Sequence, residues 1–253
     1  MEKISVTIIA LNEERNIRDC LESVKWADEI LVSDSGSTDR TAEICREYGA
    51  NVTTEEWLGF GRQKNLCGDR ARNRWILNID ADERVTPELK EEIERAVKSG
   101  DKAGYYVPRR NYFGDKWVRR CGWYPDFTLR LYRKDSGRFI DRYVHESVAV
   151  NGPRGYLKNP LIHRTYKDVS DYLTRMQRYS TLAAEEMLNQ GKNAGFIDIL
   201  FRPVYTFLKM YILKRGFLDG STGVILSTLY ASYTLAKYAK LWEMKTRPGQ
   251  DRK

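Results

Sequence analysis

Residues Lys3-Ile-Ser-Val-Thr-Ile-Ile-Ala-Leu11 run almost without interruption through apolar and β-branched side chains, then break into Asn12-Glu-Glu-Arg15. Such a run suits a strand buried on both faces of a parallel sheet, where helices cover each side and no alternate residue meets water. Just beyond, Ile17, Leu21 and Val24 recur at helical spacing, and Asn12 is placed to cap the helix they define. A second strand is expected from Glu29 to Ser33, ending in Asp34-Ser-Gly-Ser-Thr-Asp39, and a second helix passes Ile44 and Tyr48 and stops at Gly49. This βαβα start predicts an α/β protein built on a sheet flanked by helices.

Outward from there the alternation continues. A short segment at Asn51 to Thr54 precedes a helix over Gly61 to Ala71, and Trp75 to Ile79 gives another apolar strand with Asp80-Ala-Asp82 at its end. Thr86-Pro87 is an N-cap and first-turn signal for a helix carrying Leu89, Ile93 and Val97 and stopped by Gly100. The sheet is expected to resume at Gly104 to Pro108, Thr128 to Tyr132 and Val144 to Val150. Open sheets of this kind bind ligands outside the carboxyl ends of their strands, where the Asn12, Asp34 and Asp80 segments all fall.

From about Asp168 the pattern changes to long helices. Val169, Tyr172, Leu173, Met176, Tyr179 and Ala183 form one stripe, and Gly191 ends it. Val204, Phe207, Leu208, Tyr211 and Ile212 form a second, flanked by Arg202, Lys209, Lys214 and Arg215. A third helix, rich in Leu and Tyr, follows Gly223, and the polar end from Thr246 to Lys253 is expected to fray.

The 253 residues suffice for one or two domains, and 42% hydrophobic with 31% charged residues excludes disorder as the main state. Cys20, Cys45, Cys67 and Cys121 form no CxxC pair, which points to core thiols in a reduced, cytoplasmic compartment. The apolar stretch from Ile4 to Leu11 is too short for a secretory signal. The longest uncharged run, Gly220 to Ala236, has 17 residues rich in Ser, Thr, Tyr and Gly, whereas a spanning helix needs about 20 mostly apolar ones. No transmembrane span is expected. Net charge is +8, yet residues 1–150 carry 26 Lys and Arg against 27 Asp and Glu, while residues 151–253 carry 17 against 8. The basic excess is regional and calls for an anionic partner for the C-terminal part, a membrane surface or nucleic acid.

Asp80-x-Asp82 is the strongest chemical signal. Two carboxylates two residues apart on extended backbone share a face and can address one cation beside a diphosphate; two acids in a solvated turn are the plainer reading. Asp34 and Glu13 add carboxylates at two neighbouring strand ends, a crowding that repels unless a cation or hydrogen-bond donors offset it. Gly59-Phe-Gly61 lacks the third glycine of a phosphate loop. Arg109-Arg110 and Arg119-Arg120, interleaved with Tyr112, Trp117 and Trp123, suit nucleic acid or, equally, sugar stacking and an anionic-lipid acceptor. The neutral balance of residues 1–150 disfavours nucleic acid.

Ala10-Leu-Asn-Glu-Glu14, Val32-Ser-Asp-Ser-Gly-Ser-Thr-Asp39, Gln63-Lys-Asn65 and Asn78-Ile-Asp-Ala-Asp-Glu83, in this order, resemble the inverting family 2 glycosyltransferases of GT-A (Rossmann-like) fold. Gly122-Trp-Tyr-Pro-Asp126, Leu129-Arg-Leu131, Val144-His-Glu146 and Phe217-Leu-Asp-Gly220 resemble the lipopolysaccharide-core β-1,4-glucosyltransferase branch. The resemblance implies a mixed sheet with a helical C-terminal extension. It makes Ala10, Leu11 and Glu13 the floor of the nucleotide pocket, Asp34 the acceptor for the base N–H, Asp80 a residue facing ribose and metal, and Asp82 the direct ligand of Mg2+ or Mn2+. Lys64 either adds to a diphosphate clamp or is a solvated helix lysine. Asp126 is the first candidate for the base that deprotonates the acceptor hydroxyl, although Pro125-Asp126 stands where the family has Glu-Asp. Glu146 is its rival. His145 is either a metal or diphosphate ligand or a hydrogen-bonded strand histidine, and His163 is read as the latter. Arg130 pairs with a phosphate or with a strand-edge carboxylate.

The resulting expectation is a cytoplasmic glycosyltransferase, peripheral on the inner face of the membrane, that moves a hexose, glucose first, from a UDP-sugar to a lipid-linked saccharide. Residues 1–165 form the catalytic domain, with the nucleotide-sugar half at 1–100 and the acceptor half at 101–165. Residues 166–245 form a helical extension for membrane or homo-oligomer contact, and 246–253 a frayed tail. The alternatives are a polyprenyl-phosphate hexosyltransferase and a non-catalytic sugar-nucleotide-binding or membrane-scaffolding module.

Overall fold

The fold is taken from a computed structural model, which describes residues 2–140 and 147–246. Strands and helices alternate from the start: β1 (Ile4–Ala10), α1 (Glu14–Val24), β2 (Glu29–Asp34), α2 (Thr41–Glu47), β3 (Asn51–Thr54), α3 (Phe60–Asp69) and β4 (Trp75–Asp80). Then come β5 (Glu83–Val85), α4 (Pro87–Ser99), β6 (Gly104–Phe113), β7 (Lys116–Trp117), β8 (Asp126–Arg133), β9 (Gly137–Ile140), β10 (Ser147–Val150), β11 (Arg154–Tyr156) and β12 (Leu161–Tyr166). The chain ends in α5 (Val169–Asn189), α6 (Phe196–Leu208) and α7 (Ser221–Thr246), with a π-helical turn at Lys209–Leu213 and a 3-10 turn at Gly216–Asp219 between the last two.

The main sheet runs β3-β2-β1-β4-β8-β6-β12-β5. Its first four strands are parallel, β8 runs antiparallel beside β4, and β6 runs antiparallel to β8. The chain winds from β1 out to β3, then crosses back through α3 to β4 on the far side of β1. The gap between β1 and β4 is thus the topological switch point, the expected place for a ligand.

Burial follows the sequence pattern. Ile4, Val6 and Ile8 of β1 join Trp75, Leu77 and Ile79 of β4 in a core closed by Ile17, Leu21 and Val24 of α1 and by Leu89, Ile93 and Val97 of α4. Thr86 caps α4 as expected, its side chain accepting from the Leu89 N–H at 3.2 Å, and Gly100 ends it in the left-handed conformation at φ 61°. Asn12 does otherwise than the sequence led us to expect. Helix α1 starts from Glu13 with no side-chain cap, and Asn12, at φ 55°, turns its Oδ1 to the Thr38 N–H at 2.8 Å. The carboxamide stitches two loops together, a conformation that Asn tolerates better than most residues. All four cysteines are buried free thiols. Burial pushes Cys45 and Cys67 up to about 12.

Two compact units emerge. One contains the chain through Arg110 and Pro125–Arg164; the other joins Asn111–Tyr124 to the chain from Thr165 onward. The segment 111–124, which lies within the sequence-based acceptor half, therefore clusters with the C-terminal helices. Within that second unit Val118, Cys121, Trp123, Met210 and Leu226 form a core, extended by Tyr166, Tyr172 and Tyr230 with ring centroids 4.8 and 5.7 Å apart. Asp219 is buried there and accepts the Arg120 N–H at 2.8 Å.

Candidate active site

The carboxyl ends of β2, β1 and β4 bring the nucleotide candidates side by side. Ala10 is the register partner of Asp34, and Ile9 that of Asp80. Ala10 is buried and Leu11 exposed just beyond it. Asp34 is buried too, and its Oδ2 accepts from the N–H groups of Gly36 and Ser37 at 3.2 and 3.0 Å while the Ser37 hydroxyl donates to Oδ1. Glu13 accepts from the Asn16 amide at 2.8 Å, and its own N–H goes to the Thr41 hydroxyl. The crowding of carboxylates is thus offset by hydroxyl and amide donors. Beside them the Ser35 hydroxyl is buried with no partner among the described residues, a polar atom that a bound nucleotide could satisfy.

Asp80 and Asp82 do not share a face. The chain leaves β4 at Asp80 and turns through Ala81 and Asp82, so the two-residue repeat of extended backbone stops where the pair begins. Asp80 instead meets Lys64 Nζ at 2.8 Å and Arg130 Nη2 at 2.5 Å. Lys64 is no solvated lysine: its side chain is 2% exposed. Burial would raise the Asp80 pKa, but the charges of Arg130 and Lys64 outweigh it and hold the carboxyl well below the usual range. Arg130 reaches this place through a β-bulge. Tyr105 pairs with Leu131 and Tyr106 with Leu129, leaving Arg130 as the extra residue of β8.

Asp82 faces the residue that the sequence reading takes for a hydrogen-bonded strand histidine. His163 of β12 is the register partner of Glu83, and its Nε2 lies 3.4 Å from Asp82 Oδ2, with side-chain exposures of 14% and 15%. Burial works against the imidazolium, yet the Asp82 carboxylate and its hydrogen bond outweigh burial and raise the His163 pKa. A carboxylate oxygen and an imidazole nitrogen converging at a strand-end rim fit a divalent cation whose other positions are filled by diphosphate oxygens. Among the described residues no group of three or more His, Cys, Asp or Glu could hold a metal by itself. Asp80, its carboxylate taken by two cations, does not join Asp82 as a second ligand in this arrangement. His145, the expected third ligand, and Glu146, the rival base, lie outside the described residues.

On the next strands, Asp126 and Arg109 stand directly opposite each other, and Arg109 Nε and Nη2 both donate to Asp126 Oδ2, at 3.0 and 2.6 Å. Arg109 also reaches Glu83 Oε1 at 3.4 Å, and Glu83 accepts from Arg130 at 2.6 Å. Glu83 is a site residue that sequence reasoning does not single out, while Arg109 is read there only as part of a basic, aromatic-interleaved stretch and His163 only as a hydrogen-bonded strand histidine. Glu83 stands inside the Asn78–Glu83 block, a usable signal; nothing in the sequence pairs Arg109 with Asp126 or His163 with Asp82.

The chain belongs to glycosyl transferase family 2, whose family pattern matches residues 5–164. The fold is accordingly GT-A, and the protein is a glycosyltransferase. It is 31% identical to the lipopolysaccharide core biosynthesis glycosyltransferase LpsC of Rhizobium meliloti, over 98% of this chain and 96% of that protein. An uncharacterized glycosyltransferase of Rickettsia typhi is 32% identical over 98% of this chain and 89% of its own length. Among solved structures, residues 1–349 of S. aureus TarS in complex with UDP share 16% identity at a TM-score of 0.48, covering 99% of this chain and 93% of that one.

Proposed function

We propose that this protein is a metal-dependent, inverting hexosyltransferase that passes a hexose, glucose first, from a UDP-sugar to a lipid-linked saccharide such as a lipopolysaccharide core. The observation that carries the reading is the meeting, in one unit, of the Asp82–His163 pair with an Arg-held carboxylate, Asp126, on β8, the strand next to β4. The near full-length similarity to LpsC supports the acceptor class.

In this reading Ala10, Leu11, Glu13 and Asp34 receive the nucleotide, and Lys64 and Arg130 place positive charge beside the diphosphate through Asp80. Asp82 and His163 would hold Mg2+ or Mn2+, which supplies charge stabilisation to the departing diphosphate. Asp126 takes the proton of the acceptor hydroxyl as that oxygen bonds to the anomeric carbon and the bond to the diphosphate breaks. The electron pair of the broken bond stays on the diphosphate.

The unit through Arg164 then acts as the catalytic domain, and the C-terminal helices would lay it on the cytoplasmic face of an anionic membrane. No residue of α6 is buried, and Phe196 and Ile197 are 76% and 70% exposed. No described helix is long and apolar enough to cross a membrane, so an interfacial contact is the form such attachment would take.

Thermal shift with UDP-glucose, UDP-galactose and UDP-N-acetylglucosamine, each with and without Mn2+, tests the donor class, because a ligand that binds only the native state raises its stability. Release of free sugar from a stabilising donor separates enzyme from binding module. Stabilisation by none of them, or metal-independent stabilisation with no turnover, would reject the proposal.

A further inference from the structure

We propose that Glu83 and Arg109 are positioning residues for the transfer: Glu83 fixes Arg109, and Arg109 holds the Asp126 carboxylate where it takes the acceptor proton. This rests on the reading of Asp126 as the base.

Six charges form one continuous line. Lys64, Asp80, Arg130, Glu83, Arg109 and Asp126 alternate in sign, with contacts of 2.8, 2.5, 2.6, 3.4 and 2.6 Å along the way. Glu83 sits at its middle with no exposed side-chain surface. Its Oε1 accepts from both Arg130 and Arg109, and its Oε2 accepts the Asp80 N–H at 3.0 Å. A single carboxylate thereby fixes the turn that presents Asp80 and Asp82 and also the arginine that grips Asp126. The grip is directional, because two donors of one planar guanidinium converge on one oxygen of Asp126.

Stability alone gives little reason for such a line. Buried ion pairs seldom outperform well-packed apolar side chains of similar volume, since desolvation offsets most of their attraction. Transfer, in contrast, gains directly from a fixed separation between the donor-side carboxylates and the base. The hydroxyl must be deprotonated at the moment its oxygen attacks, and a displacement of about 1 Å can cost on the order of 100-fold in rate. The chain of contacts spans β4, β5, β6 and β8, so this separation is set by the sheet rather than by a loop.

Hydrolysis of a UDP-hexose tests this with water as the acceptor, using whichever of UDP-glucose, UDP-galactose and UDP-N-acetylglucosamine the unaltered protein turns over with Mn2+. Asp126→Asn should lower kcat by roughly two to four orders of magnitude. Arg109→Gln should lower kcat by about 10- to 100-fold, while the donor KM and the affinity for UDP, measured by calorimetry, stay within about threefold. Arg109→Lys should recover part of the loss, and Arg109→Gln added to Asp126→Asn should cost nothing further, since the two act as a unit. Glu83→Gln should follow Arg109→Gln in kcat; if it fails to fold, Arg109, which is 20% exposed and next to the end of the line, still decides the matter.

Unaltered kcat in Arg109→Gln beside a dead Asp126→Asn would keep Asp126 as the base and overturn the positioning role. An active Asp126→Asn would overturn the base and this inference together. Equal losses of kcat, UDP affinity and thermal stability in the Arg109 and Glu83 variants would make both residues structural only. Turnover of none of the three donors would remove the proposed function, and the inference with it.

Discussion

Asp82 and His163 show how much one contact decides. The histidine sits on a strand that sequence patterning does not pick out, yet its Nε2 comes within 3.4 Å of the aspartate that the family pattern marks. Two consequences are measurable. Asp82→Asn keeps the shape of the side chain but removes its charge, so the fold should persist while transfer is abolished; unchanged turnover in saturating Mg2+ would reject the site. His163→Gln should weaken Mn2+-dependent UDP binding by about 10-fold or more, since even groups one shell removed from a metal cost 10- to 100-fold when lost. Calorimetry with and without Mn2+ reads this directly, and equal affinity in both variants and both conditions would place the cation elsewhere.

Elements add constraints that no residue carries alone. The bulge at Arg130 aims a side chain that regular pairing would have sent to one face of β8, and the turn at Ala81–Asp82 separates two carboxylates that an extended run would have kept together. In the helical unit, a Cβ on Gly223 of α7 would meet the Gly216 carbonyl oxygen at 1.8 Å. Helix propensity alone says that Gly223→Ala stabilises by about 1 kcal/mol; the contact says that it destabilises by about 1–3 kcal/mol or more. The sign of the change in urea unfolding chooses between them. Between α4 and β6, Asp101 accepts from the Ser99 and Tyr105 hydroxyls at 2.7 and 2.9 Å and pairs with Lys102, which lowers its pKa from 3.8 to about 2. A depressed folded-state pKa means stability that is fully present above the unfolded value and lost as pH falls from about 4 to about 2. Asp101→Asn should therefore lower stability at neutral pH and flatten the acid limb of the stability curve in that window, so that variant and parent converge near pH 2; an unaltered slope would rule this link out.

At the scale of the whole molecule, the exposed apolar surface of α6 and the turns after it is the feature with the widest consequence. The sequence stripe of Val204, Phe207, Leu208, Tyr211 and Ile212 divides: Phe207 and Tyr211 are half-buried, while Val204, Leu208 and Ile212 are exposed together with Phe196, Ile197 and Phe201. Arg202 is engaged by Asp198 at 2.6 Å and lies over Tyr238, which leaves Lys209, Lys214 and Arg215 as the exposed basic flank. Each basic group near an anionic surface contributes about 1 kcal/mol. Anionic vesicles should therefore bind the protein in a salt-sensitive way, with neutralisation of those three residues weakening binding and Ile197→Ser with Phe201→Ser removing its salt-resistant part. Co-sedimentation that is absent at low salt, with dimers in solution instead, would assign the face to a second copy. By itself the sequence determined the parallel strands and their helices, because burial on both faces demands long apolar runs, and it determined the strand-end carboxylates, because their motifs are contiguous in the chain. The Asp126 partner, the neighbour of Asp82, the burial of Lys64 and the joining of Asn111–Tyr124 to the C-terminal helices were decided only by tertiary structure. Those contacts bridge residues separated by more than a helix or strand of chain, whose meeting depends on strand order and register, quantities that local periodicity does not encode.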